Sequence, residues 1–492
     1  MKIELVVDGA RLRNWHLGLP ARLDAGPGSS VTLRLADGPA LPSSLELLLQ
    51  LEQLVHRLPA GRPGARTDAN GALRSDGHAD LTIDLTRGGS TNGARALRVL
   101  YDGEPDEGAV FAALLERRVP TIEILDVATG AVVARGVAST ENAGSLFEAY
   151  EEVVARTANV LAAALRRPTG EMPPSPKSPG ALGRKAVARY AARTLAFTAA
   201  RTLYRLCCRA PHWRIGWRMP GGRDVWETRS LGGAAWRNLA DPGFRFYADP
   251  FPIVRGGETY VFLEDFDHRT QKAIVSAVRF GADGPVGRVF PVLEEPWHLS
   301  YPFLIEDGGE VWMIPESSQD RTVRLYRADP FPDRWVQEAV LLDGIEASDA
   351  TVVRHDGLYW MFAATRDGAG SHSDMLSLFT AERLLGPWTP HPANPVLIDA
   401  GSARPAGNIA RRDGRLWRPV QDCRAGYGTA LGLAEITRLD REGFAQEVRT
   451  VLRPGPDWPG RKLHTLNRAG PLEVIDGSGL SPRVPFAMSG AR

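Results

Sequence analysis

Two hydrophobic rhythms divide the chain. Over roughly residues 1–167, strand-like and helix-like runs alternate. Ile3–Val7 and Val31–Leu35 read as strands. Leu45, Leu48, Leu49, Leu51, Leu54, Val55 and Leu58 then keep helical spacing, with Ser43 and Glu46 ahead of them in a capping-box pattern. Strand runs return at Leu81–Leu85 and Leu97–Tyr101, followed by a helix over Ala109–Arg117. Thr121–Leu125 and Ala131–Arg135 form a hairpin pattern. Leu146, Tyr150, Val153, Val154, Ala158, Leu161 and Leu165 predict a long closing helix, capped by Ser145 and Glu148. This alternation predicts an α/β domain around a mainly parallel sheet.

Over about 212–477 the rhythm changes to short strand pairs that recur about every 50 residues. The copies begin at Ala248-Asp249-Pro250-Phe251, Ser300-Tyr301-Pro302-Phe303, Ser348-Asp349-Ala350-Thr351, Ala403-Arg404-Pro405-Ala406 and Leu463-His464-Thr465. The first four reach a Gly-bearing turn and an aromatic or apolar second strand, such as Gly308-Gly309-Glu310-Val311-Trp312-Met313; the last has only Gly470-Pro471-Leu472. Asp249, Tyr301, Asp349 and Arg404 are 52, 48 and 55 residues apart. A period of that size, with several strands per unit, predicts an all-β five-bladed β-propeller. Each blade's inner strand starts at the axis, so Asp249, Tyr301, Asp349, Arg404 and His464 are expected to share one pocket.

Between the domains, residues 168–181 carry Pro168, Pro173, Pro174, Pro176 and Pro179 and read as a semi-rigid linker. Residues 182–211 follow as a basic connector helix, with Arg184, Lys185, Arg189, Arg193, Arg201, Arg205 and Arg209 among apolar positions. Two readings stay open for 182–209: packing on a neighbouring domain, or peripheral contact with anionic lipid. Residues 478–492 read as a disordered tail.

Composition narrows the function classes. The 492 residues hold 59 basic and 58 acidic side chains, a net charge of +1 that offers nucleic acid no global attraction. Three cysteines make no disulfide framework, which fits a reducing compartment. With acids inside the first apolar run and no membrane-spanning stretch, the expected location is cytoplasmic, with peripheral contact at the inner membrane face left open. No P-loop, no GxGxxG after a strand and no zinc-type Cys/His spacing occurs, so no cofactor or metal is expected. Eleven of the twelve tryptophans lie beyond residue 212. Trp312, Trp360 and Trp417 repeat at one blade position and suit packing between blades, whereas Trp297 and Trp458 precede blade starts and suit the pocket. In the first domain, Asp84 and Asp102 at strand ends read as turn caps or as a ligand crevice.

Two carboxylates at one axis are costly to desolvate unless paired or functional. Glu264, Glu316 and the Gln421-Asp422 pair end second strands and would return near that axis. Carboxyls around a polar pocket suit glycoside chemistry, in which one protonates the leaving oxygen and one activates water or attacks.

Ala248-Asp249-Pro250 and Ser348-Asp349-Ala350 resemble the five-bladed propeller glycosidases of the arabinanase/β-xylosidase and invertase/levansucrase clans. That resemblance implies a general base at Asp249 and a pKa-tuning Asp349, with His464 similar to the axial histidine. Ala403-Arg404-Pro405 stands where the Glu-Gly-Pro acid of the arabinanase group would be, leaving Glu316 as the substitute acid. Phe246–Phe251, Ser300–Phe303, Met313–Ser317 and Leu325–Arg327 more closely resemble the N-terminal domain of plant glucosamine inositolphosphorylceramide transferase and its bacterial relatives. Residues 97–136 are similar to a degenerate formyltransferase-like (Rossmann-like) domain, without its His-Pro-Ser motif.

The expected catalytic set is Asp249, Asp349 and Glu316. Tyr301, Arg404, His464, Glu264, Trp297 and Gln421 are expected to bind substrate. The resemblance implies a sugar or glycolipid substrate in surface glycan metabolism. A non-catalytic glycan-binding accessory protein, or formyl or acyl transfer through the first domain, are the alternatives.

Overall fold

The computed structural model describes residues 1–23, 30–68, 79–89, 95–166, 172–178 and 180–483. It divides into two units: residues 1–197 with 369–371, and 198–368 with 372–492.

In the first unit, β1 (Lys2–Asp8), β2 (Ser30–Ala36), β3 (Leu81–Asp84), β4 (Ala96–Tyr101), β5 (Thr121–Asp126) and β6 (Val132–Val137) form one sheet in the order β2-β1-β3-β4-β5-β6. The pairs from β2 to β4 are parallel, and β4-β5 and β5-β6 are antiparallel. Helices α1 (Asn14–Arg22), α2 (Ser43–Val55), α3 (Gly108–Leu115) and α4 (Leu146–Arg166) accompany the sheet. At α4 the expected Ser–Glu pair does cap the helix: the Glu148 amide donates to Ser145 Oγ at 3.2 Å, and the Glu148 carboxylate reaches back one residue further, to the Gly144 amide at 2.9 Å. At α2 it does not. Ser43 is already helical behind Pro42, and Glu46 instead pairs with the buried Arg13 at 2.8 Å. A buried guanidinium without an anion is far costlier than an uncapped amide.

Asp84 caps a local turn, whereas Asp102 bridges to a residue 19 positions on. Asp84 accepts from the Thr86 amide and hydroxyl, and Asp102 from the Thr121 amide at 2.9 Å. Pro168 and Pro179 of the expected linker lie outside the described residues. Its described part runs beside the sheet edge, with Met172 exchanging backbone bonds with Val132 and Ser175 donating to Glu123. After it comes α5 (Arg184–Cys207).

The second unit is a ring of five antiparallel sheets. Blade one runs from Arg245–Arg255 to Gly284–Leu293, blade two from Ser300–Asp307 to Trp335–Asp343 and blade three from Glu346–His355 to Thr389–Pro390. Blade four runs from Ala410–Arg412 to Phe444–Leu452. Blade five takes its inner strands from Leu466–Ala469 and Leu472–Ser478, then its outer two from Trp213–Arg218 and Arg237–Asn238. The last repeat looks truncated in sequence because its other half lies some 250 residues earlier, a closure that ties the two ends of the ring by hydrogen bonds. Ser481–Pro482, at the start of the expected tail, pairs with Cys208–Arg209; residues 484–492 lie outside the described ones.

Apolar clusters fill every seam between blades. Trp312 joins the cluster spanning blades one to three, Trp360 that of blades three and four, and Trp417 that of blades four and five. Trp217, Val474, Val261 and Phe280 seal blade five to blade one. At the seam between blades four and five, Asp224 accepts from Arg412 of blade four and Arg468 of blade five. It also caps the short helix Val225–Thr228 through the Glu227 amide at 2.9 Å.

Candidate active site at the propeller axis

The strand starts of blades one to three share a backbone device. Pairing between first and second strands slips at Ala248/Phe251, Ser300/Phe303 and Ser348/Thr351. Within each slip one residue is left-handed: Asp249 at φ 49°, Tyr301 at 43° and Asp349 at 56°. A non-glycine residue there costs on the order of 1 kcal/mol or more. The bulge frees these residues from the strand ladder. Arg404 and His464 are not left-handed, so the device covers three blades of five.

The side chains converge in one buried network. Asp249 accepts from Thr465 Oγ1 at 2.9 Å and the Tyr301 amide at 3.2 Å, while its own amide donates to Asp476 at 2.9 Å. His464 Nδ1 lies 2.6 Å from Asp476, and its Nε2 lies 3.7 Å from Asp249. The His464 ring stacks on Trp213 at 4.1 Å and meets Tyr427 edge-on. Arg404 grips Asp349 with two donors, Nε at 2.6 Å and Nη2 at 3.4 Å, and Gln421 Nε2 adds a third contact at 3.1 Å. Tyr301 OH sits 2.9 Å from Thr351 Oγ1 and accepts from the Gly407 amide at 2.7 Å. Gly407 has φ 134°, and a Cβ there would lie 2.3 Å from the Leu466 carbonyl, so only glycine lets blades four and five approach this closely.

Glu264 and Glu316 return toward the axis from the second strands of blades one and two. Glu316 accepts from Ser300 Oγ at 2.6 Å and the Ser318 amide at 2.9 Å. Glu264 is buried, with His298 Nε2 3.4 Å away. Since His298 Nδ1 accepts from the Ala273 amide, a neutral ring carries its proton on Nε2, toward Glu264.

Their ionisation diverges. Burial, reinforced by the charges of Asp249 and Glu316, raises the Glu264 pKa well above the usual carboxylate range. Burial also works against Glu316, but its hydrogen bonds from Ser300 and Ser318 outweigh it and hold its pKa low. Burial, with Asp476 and Asp349 adding and His464 opposing, pushes Asp249 up to about 7. Asp349 is raised by burial even against Arg404. At His464, burial favours the neutral ring, but Asp476 and Asp249 prevail and raise its pKa. Asp249, His464 and Asp476 bring ligand-type atoms within 4.8 Å of one another. A metal needs a neutral imidazole, whereas this ring hydrogen bonds Asp476 and favours its proton, so the trio fits a hydrogen-bonded charge network better.

Of the residues expected in the pocket, Asp249, Tyr301, Asp349, Arg404, His464 and Gln421 are joined by these contacts. Glu264 and Glu316 are coupled to them electrostatically. Trp297 instead packs against the cluster of blades one to three, under the Arg324 guanidinium at 4.9 Å. Trp458 is buried among blades four and five with Arg214 over its ring, so it is core. Asp476, Thr465, His298, Tyr427 and Trp213 were not anticipated. Asp476 had a signal, because it ends the second strand of blade five as Glu264 and Glu316 end theirs.

Residues 234–474 match the family described as "Glucosamine inositolphosphorylceramide transferase 1, N-terminal". That stretch takes in nearly all of the propeller. Curated relatives named glucosamine inositolphosphorylceramide transferase 1 align with half of this chain: 32% identical over 262 residues in Oryza sativa subsp. japonica and 33% over 260 in Arabidopsis thaliana. The chain spans about a third (34%) of those relatives' length. Among solved structures, a family 117 glycoside hydrolase from Zobellia galactanivorans is 12% identical, covering 55% of this chain and 91% of its own, at TM-score 0.36. An exo-beta-1,3-galactanase from Phanerochaete chrysosporium is 15% identical, covering 46% and 62%, at TM-score 0.32. At such scores it is the blade topology, not these neighbours, that defines the fold. The match begins at residue 234, so the formyltransferase resemblance of residues 97–136 stays an expectation.

Proposed function

We propose that the propeller axis binds a sugar or glycolipid and acts on its glycosidic linkage, by cleavage or by transfer. The opposite ionisation of Glu264 and Glu316 carries this reading: environments that push two carboxyls apart mark an acid and a base. Glu264, kept protonated, donates to the leaving oxygen. Glu316, kept ionised, takes the proton of the attacking water or acceptor hydroxyl. The proton donor thereby moves from Glu316, as expected from sequence, to Glu264. Asp249 becomes the foremost charge that holds Glu264 protonated. Arg404, fixed by Asp349, orients polar groups of the substrate. The names of the curated relatives support a glycolipid as the substrate class.

A second reading, recognition of a glycan without turnover, is favoured by the Arg404–Asp349 clamp, which occupies the place of the resembled acid. Both are tested by assaying the full chain for binding and turnover across a glycan and glycolipid panel. Glu264→Gln should cut turnover about 10²-fold or more with binding retained, and substrates with strongly acidic leaving groups should lose far less. Wild-type binding without turnover selects recognition. Absence of binding to any glycan sinks both readings.

A further inference from the structure

Helix α5 carries Arg184, Lys185, Arg189, Arg193, Arg201 and Arg205, and no acidic residue occurs from Met172 to Arg223. Only Ala186 and Val187 of this helix are buried. Leu195, Leu203 and Leu206 are 72%, 63% and 70% exposed. At about 100° per residue, these three leucines fall within roughly 80° of one helix face. No described helix is long and apolar enough to cross a membrane.

We propose that α5 is an interfacial helix that lays this leucine face into an anionic lipid surface. Two observations select this occupant. Large aliphatic side chains exposed on one helical face favour the boundary between acyl chains and headgroups. The surrounding charge is of one sign over more than 50 residues, complementary to an anionic leaflet and self-repelling toward a second copy of the same helix. Arginine stems can lie along the apolar boundary while their guanidinium groups reach lipid phosphates. The proposal does not depend on the axial chemistry, and its test reads no turnover.

The test is co-sedimentation of the full chain with phosphatidylcholine vesicles, with and without 30% phosphatidylglycerol, at low and high salt. Wild type should bind the anionic vesicles at least tenfold better than the neutral ones, and high salt should weaken that binding. Arg201→Gln with Arg205→Gln should weaken it by about fivefold per arginine. Leu195→Glu, Leu203→Glu and Leu206→Glu together should abolish it while leaving circular dichroism and melting unchanged, because all three side chains already face solvent. Equal binding to neutral and anionic vesicles, or wild-type affinity in the triple variant, overturns the proposal. So does wild-type self-association, by light scattering, that the triple variant removes without changing vesicle binding.

Discussion

Replacing Arg404 with methionine removes the cation from a buried pair and leaves Asp349 with a single strong donor. The pair's side chains are 10% and 3% exposed, and the shorter contact is 2.6 Å. Removing one partner of such a pair costs about 3–5 kcal/mol. Gln421 keeps its 3.1 Å contact to Asp349, so the low end, about 3 kcal/mol, is expected at pH 7. The sign of the pH dependence follows from Asp349. Its folded pKa is already raised by burial against the pull of Arg404, and loss of Arg404 raises it further. The folded variant then binds more protons than the unfolded chain. Its stability is greatest below the ordinary carboxylate range and falls as pH rises toward the raised pKa, by at most about 1.4 kcal/mol per pH unit. The deficit of Arg404→Met should therefore be smaller at pH 5 than at pH 8. Adding Asp349→Asn should recover most of it. Urea unfolding followed by tryptophan fluorescence reports the propeller, since eleven of twelve tryptophans lie beyond residue 212. A deficit below about 1 kcal/mol that does not vary with pH, or no recovery in the double variant, refutes the clamp.

Two further outcomes follow from the same physics. Asp249 has a folded pKa of about 7, so its stability contribution is present at low pH and is lost as pH rises from about 4 to 7; Asp249→Asn should flatten that fall, and an unchanged stability–pH curve counts against the raised pKa. Asp224→Ala should strip Arg412 and Arg468 of their shared partner and cost about 3 kcal/mol or more, seen as a lower urea midpoint; a change under 1 kcal/mol means that the latch does not hold blades four and five.

The blade count and the strand starts were legible because each copy repeats an apolar run, a glycine turn and an aromatic strand at nearly constant period. The closure was not. Trp213–Arg218 carries no repeat signature of its own, and it becomes part of blade five only through pairing with Leu472–Ser478. The Ser43 capping pattern misled because the competing demand on Glu46 came from Arg13, 33 residues before it, which local spacing does not record. His298 was passed over for a related reason. It sits beside Trp297, whose aromatic bulk suggested the pocket, but the tryptophan serves the core and the histidine reaches Glu264. Asp476 could have been found by carrying the rule for second-strand ends through to blade five.

The axis is also chemically lopsided, and the backbone accounts for it. Blades one to three free their strand starts through left-handed residues in a bulge, and two of these are the carboxylates Asp249 and Asp349. Blades four and five lack the left-handed strand start and supply Arg404 and His464. The two cationic groups are then taken up, Arg404 by Asp349 and His464 by Asp476 with Asp249 nearby. Glu264 and Glu316 are left to divide what remains: hydroxyl and amide donors at Glu316, and a histidine that favours its neutral form at Glu264. Hydrogen bonds to the charged form lower one pKa, while desolvation without a cation raises the other. The asymmetry between blades therefore sets the ionisation of two residues that belong to neither strand-start pair, and the proposed acid–base pair draws its division of labour from it.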